Sequence, residues 1–299
     1  MNFPHPRGYV CARAPFPLTI DGDLSKPAWQ SVPWTEDFVD IEGDARPRPH
    51  FRTRIKMLWD DANFYLAAEL SEPHVWGSIT EHDAVIFQDN DFEVFLDPDG
   101  DCHDYGELEL NALNTTWDLR LPKPYRAGGS AENEWEIHGM KSAVQIQGTL
   151  NDPSDTDTGW TVELALPWES LATLRGGSCP EVGQQWRVNF SRVEWDVDIV
   201  DGAYVKRPGQ PERNWVWSPQ HVIDMHRPEW WGYVQFEESA AVPFRPDPDF
   251  AQKASLLLRW QRATDEKALV GGWEATDEGW RVSLDGALTV RPAVKRSAF

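Results

Sequence analysis

A chain of 299 residues with 40% hydrophobic and 26% charged residues can bury a sizeable core and is too apolar for wholesale disorder. Its formal net charge of -21 repels phosphate backbones, which argues against nucleic-acid binding and leaves neutral ligands and cations as partners. No apolar run approaches the roughly 18 residues that span a bilayer.

Met1 to Val10 contains Pro4 and Pro6 but no apolar stretch, so no signal peptide is read there. The location is left open: cytoplasmic for the chain as it stands, extracytoplasmic if the chain has been trimmed. Cys11, Cys102 and Cys179 are odd in number and widely spaced. They give neither a CxxC metal pair nor a full disulfide framework, so free buried thiols are expected.

In chain order, residues 1–16 are expected as a Pro-rich N-terminal arm. Asp21-Gly22-Asp23 marks a turn, and Pro27-Ala28-Trp29 opens a short helical turn with proline near its start. Residues 41–50 read as a loop. Period-2 alternation then predicts strands over 53–59 and 64–70, joined at Asp60-Asp61-Ala62-Asn63. Further strands are predicted over 91–97, 105–113, 117–121, 140–150, 160–166 and 185–195. A helical turn after Pro167 stops at Gly176-Gly177, residues 196–213 read as a polar loop, and 230–236 is the last strong strand.

This pattern predicts an all-β, antiparallel β-sandwich over residues 17–240. The Pro-rich stretch 241–250 reads as a linker. Residues 241–299 are an appendage, with a helix over 249–270 and a hairpin within 271–290.

The strand around Tyr105 carries the clearest candidate site. Leu108, Leu110 and Ala112 share one face; Glu107, Glu109 and Asn111 share the other. Glu93 or Asn189 could face that polar row, and Arg192 could pair with one of its carboxylates. Carboxylates accept hydroxyl protons and Asn both donates and accepts, which suits a polyhydroxylated ligand. The alternative for such a row is a plain solvated sheet face.

The chain also holds 17 tryptophans, whose flat indoles suit the apolar C–H faces of sugars. Separately, Asp97, Asp99 and Asp101 put hard oxygens on the tight turn Asp97-Pro98-Asp99-Gly100-Asp101, a candidate Ca2+ position.

A series of short motifs runs through the chain in order. It includes Ile20-Asp21-Gly22, Pro27-Ala28-Trp29, Leu58-Trp59-Asp60-Asp61, Asp91-Phe92-Glu93-Val94-Phe95-Leu96-Asp97, Gly159-Trp160-Thr161-Val162-Glu163, Trp217-Ser218-Pro219 and Trp231-Gly232-Tyr233. Together they resemble the carbohydrate-binding family 9 modules and their wider DOMON-like relatives. The resemblance implies a jelly-roll-like sandwich, often with bound Ca2+, in which two tryptophans clamp a terminal sugar. On that pattern Trp76 is one clamp residue, and Trp215 or Trp217 the other.

The sequence contains no GxSxG, P-loop, HExxH or GxGxxG motif. The competing reading is a glycan-active enzyme on the same fold. Glu107 and Glu109 would stand about 7 Å apart, within the ~6.5–9.5 Å of an inverting carboxylate pair. A saccharide-binding protein is the expectation carried forward.

Overall fold

The computed structural model of the protein describes residues 6–247 together with 273–276, 279–284 and 288–290. Fourteen strands build the main body, twelve of them in one continuous, curled sheet. In chain order they are β1 Gly8–Arg13, β2 Val39–Asp40, β3 Thr53–Trp59, β4 Asn63–Ser71, β5 Asp91–Asp97, β6 Tyr105–Asn111 and β7 Thr116–Leu121. There follow β8 Lys141–Gln147, β9 Gly159–Pro167, β10 Gln185–Glu194, β11 Val197–Val200, β12 Ala203–Lys206, β13 Arg213–Val216 and β14 Gly232–Glu237. Two single-turn helices, α1 Pro27–Gln30 and α2 Trp168–Leu171, are the described α-helices.

The strand order is β7-β6-β5-β10-β14-β1-β3-β4-β9-β8, with β13 and β2 continuing from β10. Alternation explains the layering. Phe92, Val94, Leu108, Leu110, Val188 and Phe190 point inward from one half of the sheet. Ile55, Met57, Phe64, Leu66, Val162 and Leu164 meet them from the other, and all belong to one buried core. The result is the predicted all-β sandwich.

One joint departs from the antiparallel expectation. The N-terminal stretch is not wholly an irregular arm: Gly8–Arg13 forms β1, which pairs parallel with both β14 and β3. Its pairing partners are far away in sequence, so no hairpin fixes their direction. Tyr9 and Cys11 reach the core, but the prolines around them mask the alternation. Close to this joint, Gly232 packs under Trp217, and a Cβ there would lie 2.3 Å from the indole. Any side chain at 232 would overpack the core.

Each outer face of the sandwich carries its own cover. On one, Trp29 packs with Leu18, Leu58, Tyr65 and Ala165. On the other, Trp231 packs with Phe95, Tyr105, Leu119 and Leu121. The polar loop expected over 196–213 contains the hairpin β11–β12 and the start of β13. Trp273–Thr276, Gly279–Leu284 and Leu288–Val290 (β15 to β17) form a separate antiparallel three-stranded sheet. The helix expected at 249–270 lies outside the described residues. No described helix is long and apolar enough to cross a membrane. The three cysteines are free thiols, with Cys11 and Cys102 buried and Cys179 exposed.

Candidate functional site

On β5 and β6 the residues that turn away from the core include Asp91, Glu93, Glu107 and Glu109, beside Phe95, Tyr105 and Asn111. Register sets Glu93 directly opposite Glu109 and Phe95 opposite Glu107. β7 then brings Trp117 opposite Glu109 and Leu119 opposite Glu107. This is the polar row read from the sequence, but it is not a solvated sheet face. The loop carrying Ile223 to His226, the Glu212–Asn214 stretch and the Tyr125 ring rise around it. They enclose a cleft of about 280 Å³ with Glu93, Glu107 and Glu109 among its walls.

Enclosure gives these carboxyls unusual electrostatics. Glu93, Glu107 and Glu109 are only 4, 5 and 2% exposed. Burial, followed by repulsion from Glu93, pushes Glu107 and Glu109 well above the usual carboxylate range. Burial likewise lifts Glu93 to about 7. Glu93 Oε2, Glu107 Oε2 and the Trp117 indole N–H are all shielded from solvent, yet none makes a hydrogen bond to a described residue. A buried polar atom left unpaired costs ~1–3 kcal/mol, so these atoms suit a ligand that supplies the missing partners.

The aromatic and imidazole groups complete the cleft. Tyr125 is 45% exposed, and its ring meets His226 edge-on at 4.5 Å. His226 Nδ1 lies 3.1 Å from the Tyr105 hydroxyl and Nε2 lies 4.0 Å from Glu107 Oε2. Burial, reinforced by Arg126 and opposed by Asp224, lowers the His226 pKa to about 4, so the ring is neutral at pH 7.

The cleft runs into a longer groove of about 490 Å³, which shares Ile41, Glu212, Asn214 and Ile223 with it. Arg46, Arg48, His50, Arg213 and Trp215 line this extension.

The structure divides the residues singled out in the sequence. Glu107 and Glu109 line the cleft, and Trp215 lines the groove although only 3% exposed. Trp76 is 7% exposed and lies in the core's company, with the Lys206 ammonium 6.0 Å above its ring. Trp217 is fully buried against Phe190.

The remaining polar candidates serve the fold. Asn111 donates to the Ile79 carbonyl and Asp89 and accepts from the Leu113 and Thr115 amides. Asn189 exchanges two hydrogen bonds with the Ser218 backbone, both 2.9 Å, and so pins the strand end after Trp217. Arg192 is fully buried, bound to Glu72 at 2.6 Å and Glu194 at 2.7 Å. Trp117, Tyr125 and His226 were not singled out as ligand contacts. The signal for Trp117 was its strand position, next to the acidic row.

At the Asp97 turn, Asp97, Asp99 and Asp101 each bring a carboxylate oxygen to within 4.8 Å of the others. That donor set fits a hard divalent cation. Asp97 Oδ2 accepts the Cys102 amide, and Arg175 holds one Asp101 oxygen at 2.7 Å, offsetting part of the charge.

The family model described as carbohydrate family 9 binding domain-like matches residues 20–198, more than half of the chain. This chain belongs to the carbohydrate family 9 binding domain-like family. The match includes β5 and β6 and ends in β11. Among solved structures, the family 9 carbohydrate-binding module from Caldicellulosiruptor kristjanssonii superposes in two complexes. With cellotriose the TM-score is 0.52 at 16% identity, covering 80% of this chain and all of that one. With glucose the TM-score is 0.53 at 15% identity, with the same coverage. The chain is also 26% identical over 121 residues to the exoglucanase XynX of Acetivibrio thermocellus. That stretch is 40% of this chain and 9% of the relative's own length.

Proposed function

We propose that this family 9-like domain binds a saccharide, with a terminal ring in the cleft of Glu93, Glu107, Glu109, Trp117 and Tyr125. The remainder of the ligand then lies along the groove toward Trp215. One observation carries the reading: a shielded indole N–H and two shielded carboxyl oxygens, none with a hydrogen bond to a described residue, line one cleft beside aromatic rings. A sugar ring offers hydroxyls to all three and a C–H face to the rings. The solved family 9 complexes with glucose and cellotriose support this ligand class.

Calorimetric titration with glucose and cellotriose tests it. Binding by the wild type should weaken 5- to 30-fold in Trp117→Ala, the loss expected of ~1–2 kcal/mol of stacking. Unchanged affinity in that variant, with folding intact, overturns the placement. A Ca2+ ion at the Asp97–Asp99–Asp101 turn is part of the same reading; its role there is to brace the β5–β6 connection beneath the cleft's strands.

A further inference from the structure

The floor of the cleft concentrates carboxyl groups, with no lysine or arginine among its lining residues and His226 as its one imidazole. Asp91, Glu93 and Glu109 each bring one carboxylate oxygen to within 4.8 Å of the other two. Their exposures are 0, 4 and 2%. Two of the three are aimed by backbone. The Val193 amide donates to Asp91 Oδ1 at 3.1 Å, and the Phe87 amide donates to Glu109 Oε2 at 3.0 Å. Each anchored oxygen fixes the direction of its partner oxygen on the same carboxylate. Asp91 Oδ2 and Glu93 Oε2, both shielded from solvent, accept no hydrogen bond from a described residue.

Three carboxylates at this spacing and burial cannot all ionise without a counter-charge. A single ammonium would offset one of the three charges, whereas a divalent ion offsets two and prefers hard oxygens. We propose that Asp91, Glu93 and Glu109 hold a divalent cation, Ca2+, on the floor of the cleft, and that its open positions take hydroxyl oxygens of the bound saccharide.

The coordination count supports the second clause. Ca2+ takes about 6 to 8 oxygens, and three carboxylates, two of them with one oxygen tied to backbone, leave positions open. Those positions face the cleft, because Glu93 and Glu109 themselves line it. Glu107, next in the row and also carrying a shielded oxygen with no hydrogen bond to a described residue, stands beside the site. The hydroxyl role rests on the saccharide reading given above; the cation site itself does not.

The experiment is calorimetric titration of the chelator-treated full chain with CaCl2 alone, in wild type, Asp91→Asn and Glu93→Gln. Both variants remove like-charge repulsion from a buried cluster, and melting curves in chelator check that they fold. Any Ca2+ at the Asp97 turn is common to all three proteins, so the difference in bound equivalents reports the floor. The expected result is one equivalent fewer in each variant, or at least a tenfold loss of affinity at that site. Cellotriose affinity should fall at least tenfold in chelator and recover with Ca2+.

Equal Ca2+ isotherms in all three proteins overturn the site, and so does a wild type that takes up no Ca2+. Saccharide binding that is indifferent to chelator overturns the hydroxyl role while the saccharide reading stands. If no saccharide binds although the floor equivalent is present, the saccharide reading fails and the cation site survives.

Discussion

The Trp29 indole N–H donates to the Glu163 carboxylate at 2.8 Å, joining α1 to β9 across the outer face of the sheet. The same carboxylate accepts the Asp21 and Gly22 amides at 2.9 and 3.0 Å and the Lys26 ammonium at 2.7 Å. Two motifs far apart in sequence, Asp21-Gly22 with Pro27-Ala28-Trp29 and Gly159 to Glu163, are therefore one structural unit. Removing this fully buried carboxylate takes the partner from the Trp29 indole and the Asp21 and Gly22 amides, while Lys26 keeps Asp21 at 2.5 Å. Glu163→Ala should lower unfolding free energy by about 3–5 kcal/mol, and Glu163→Gln by less, since its carbonyl still accepts. Urea unfolding measures both, and equal losses would show that charge alone matters.

Trp76 separates packing from binding. Its indole is buried beneath the β11–β12 hairpin side, with Lys206 above it. Trp76→Ala should cost about 3–5 kcal/mol of stability, the usual range for a large aromatic deleted from a core. The folded fraction should keep its saccharide affinity. A variant of unchanged melting temperature with weakened binding would return Trp76 to the role of a clamp.

His226 gives a pH dependence with a defined sign. Its pKa is lowered to about 4 in the folded protein, against an ordinary 6.5. Between those values the unfolded chain takes up a proton that the folded chain refuses. The contribution is fully present above pH 6.5 and is lost as pH falls toward 4. The stability gap between wild type and His226→Gln should therefore shift against the wild type by roughly 1–3 kcal/mol from pH 7 to 4.5, at about 1.36 kcal/mol per unit. Urea midpoints across that range decide it; a gap that does not move with pH contradicts a neutral buried ring.

The Ca2+ proposed at the Asp97 turn predicts a thermal signature. At 100 times its dissociation constant a ligand adds about 2.7 kcal/mol of stability. Chelation should lower the melting midpoint, added Ca2+ should restore it, and Asp97→Asn should remove part of that response. A midpoint indifferent to chelator and to Ca2+ counts against the turn.

The alternation in the sequence located the strands closely, because a half-buried strand must repeat every two residues. Leu108 and Leu110 on one face, with Glu107 and Glu109 on the other, required β6 and assigned its core side. What alternation could not say is whether the acidic side meets water or a roof. The roof comes from Tyr125, from Glu212 and Asn214 at the start of the short strand β13, and from Ile223 to His226, and nothing in their pattern points to the strands that they cover. Tryptophan identity was similarly mute about exposure. Trp76 and Trp217 are core while Trp117 lines the cleft, a difference set by which neighbours pack over each indole. Arg192 had an ion-pair signature that was real, but its partners Glu72 and Glu194 enclose it.

The pairing of β1 with β14 has a consequence for how the domain is made. Cys11 lies beside Phe236, and β3 flanks β1 on its other side. During synthesis the first strand leaves the ribosome long before its central neighbour exists. Until residue 237 has emerged, β1 and β10 each wait with an unfilled hydrogen-bonding edge, so the two halves of the sandwich cannot lock before β14 is made. Chains halted before β14 should expose those edges and associate through them, whereas completion of this last strand closes the sheet in a single late step.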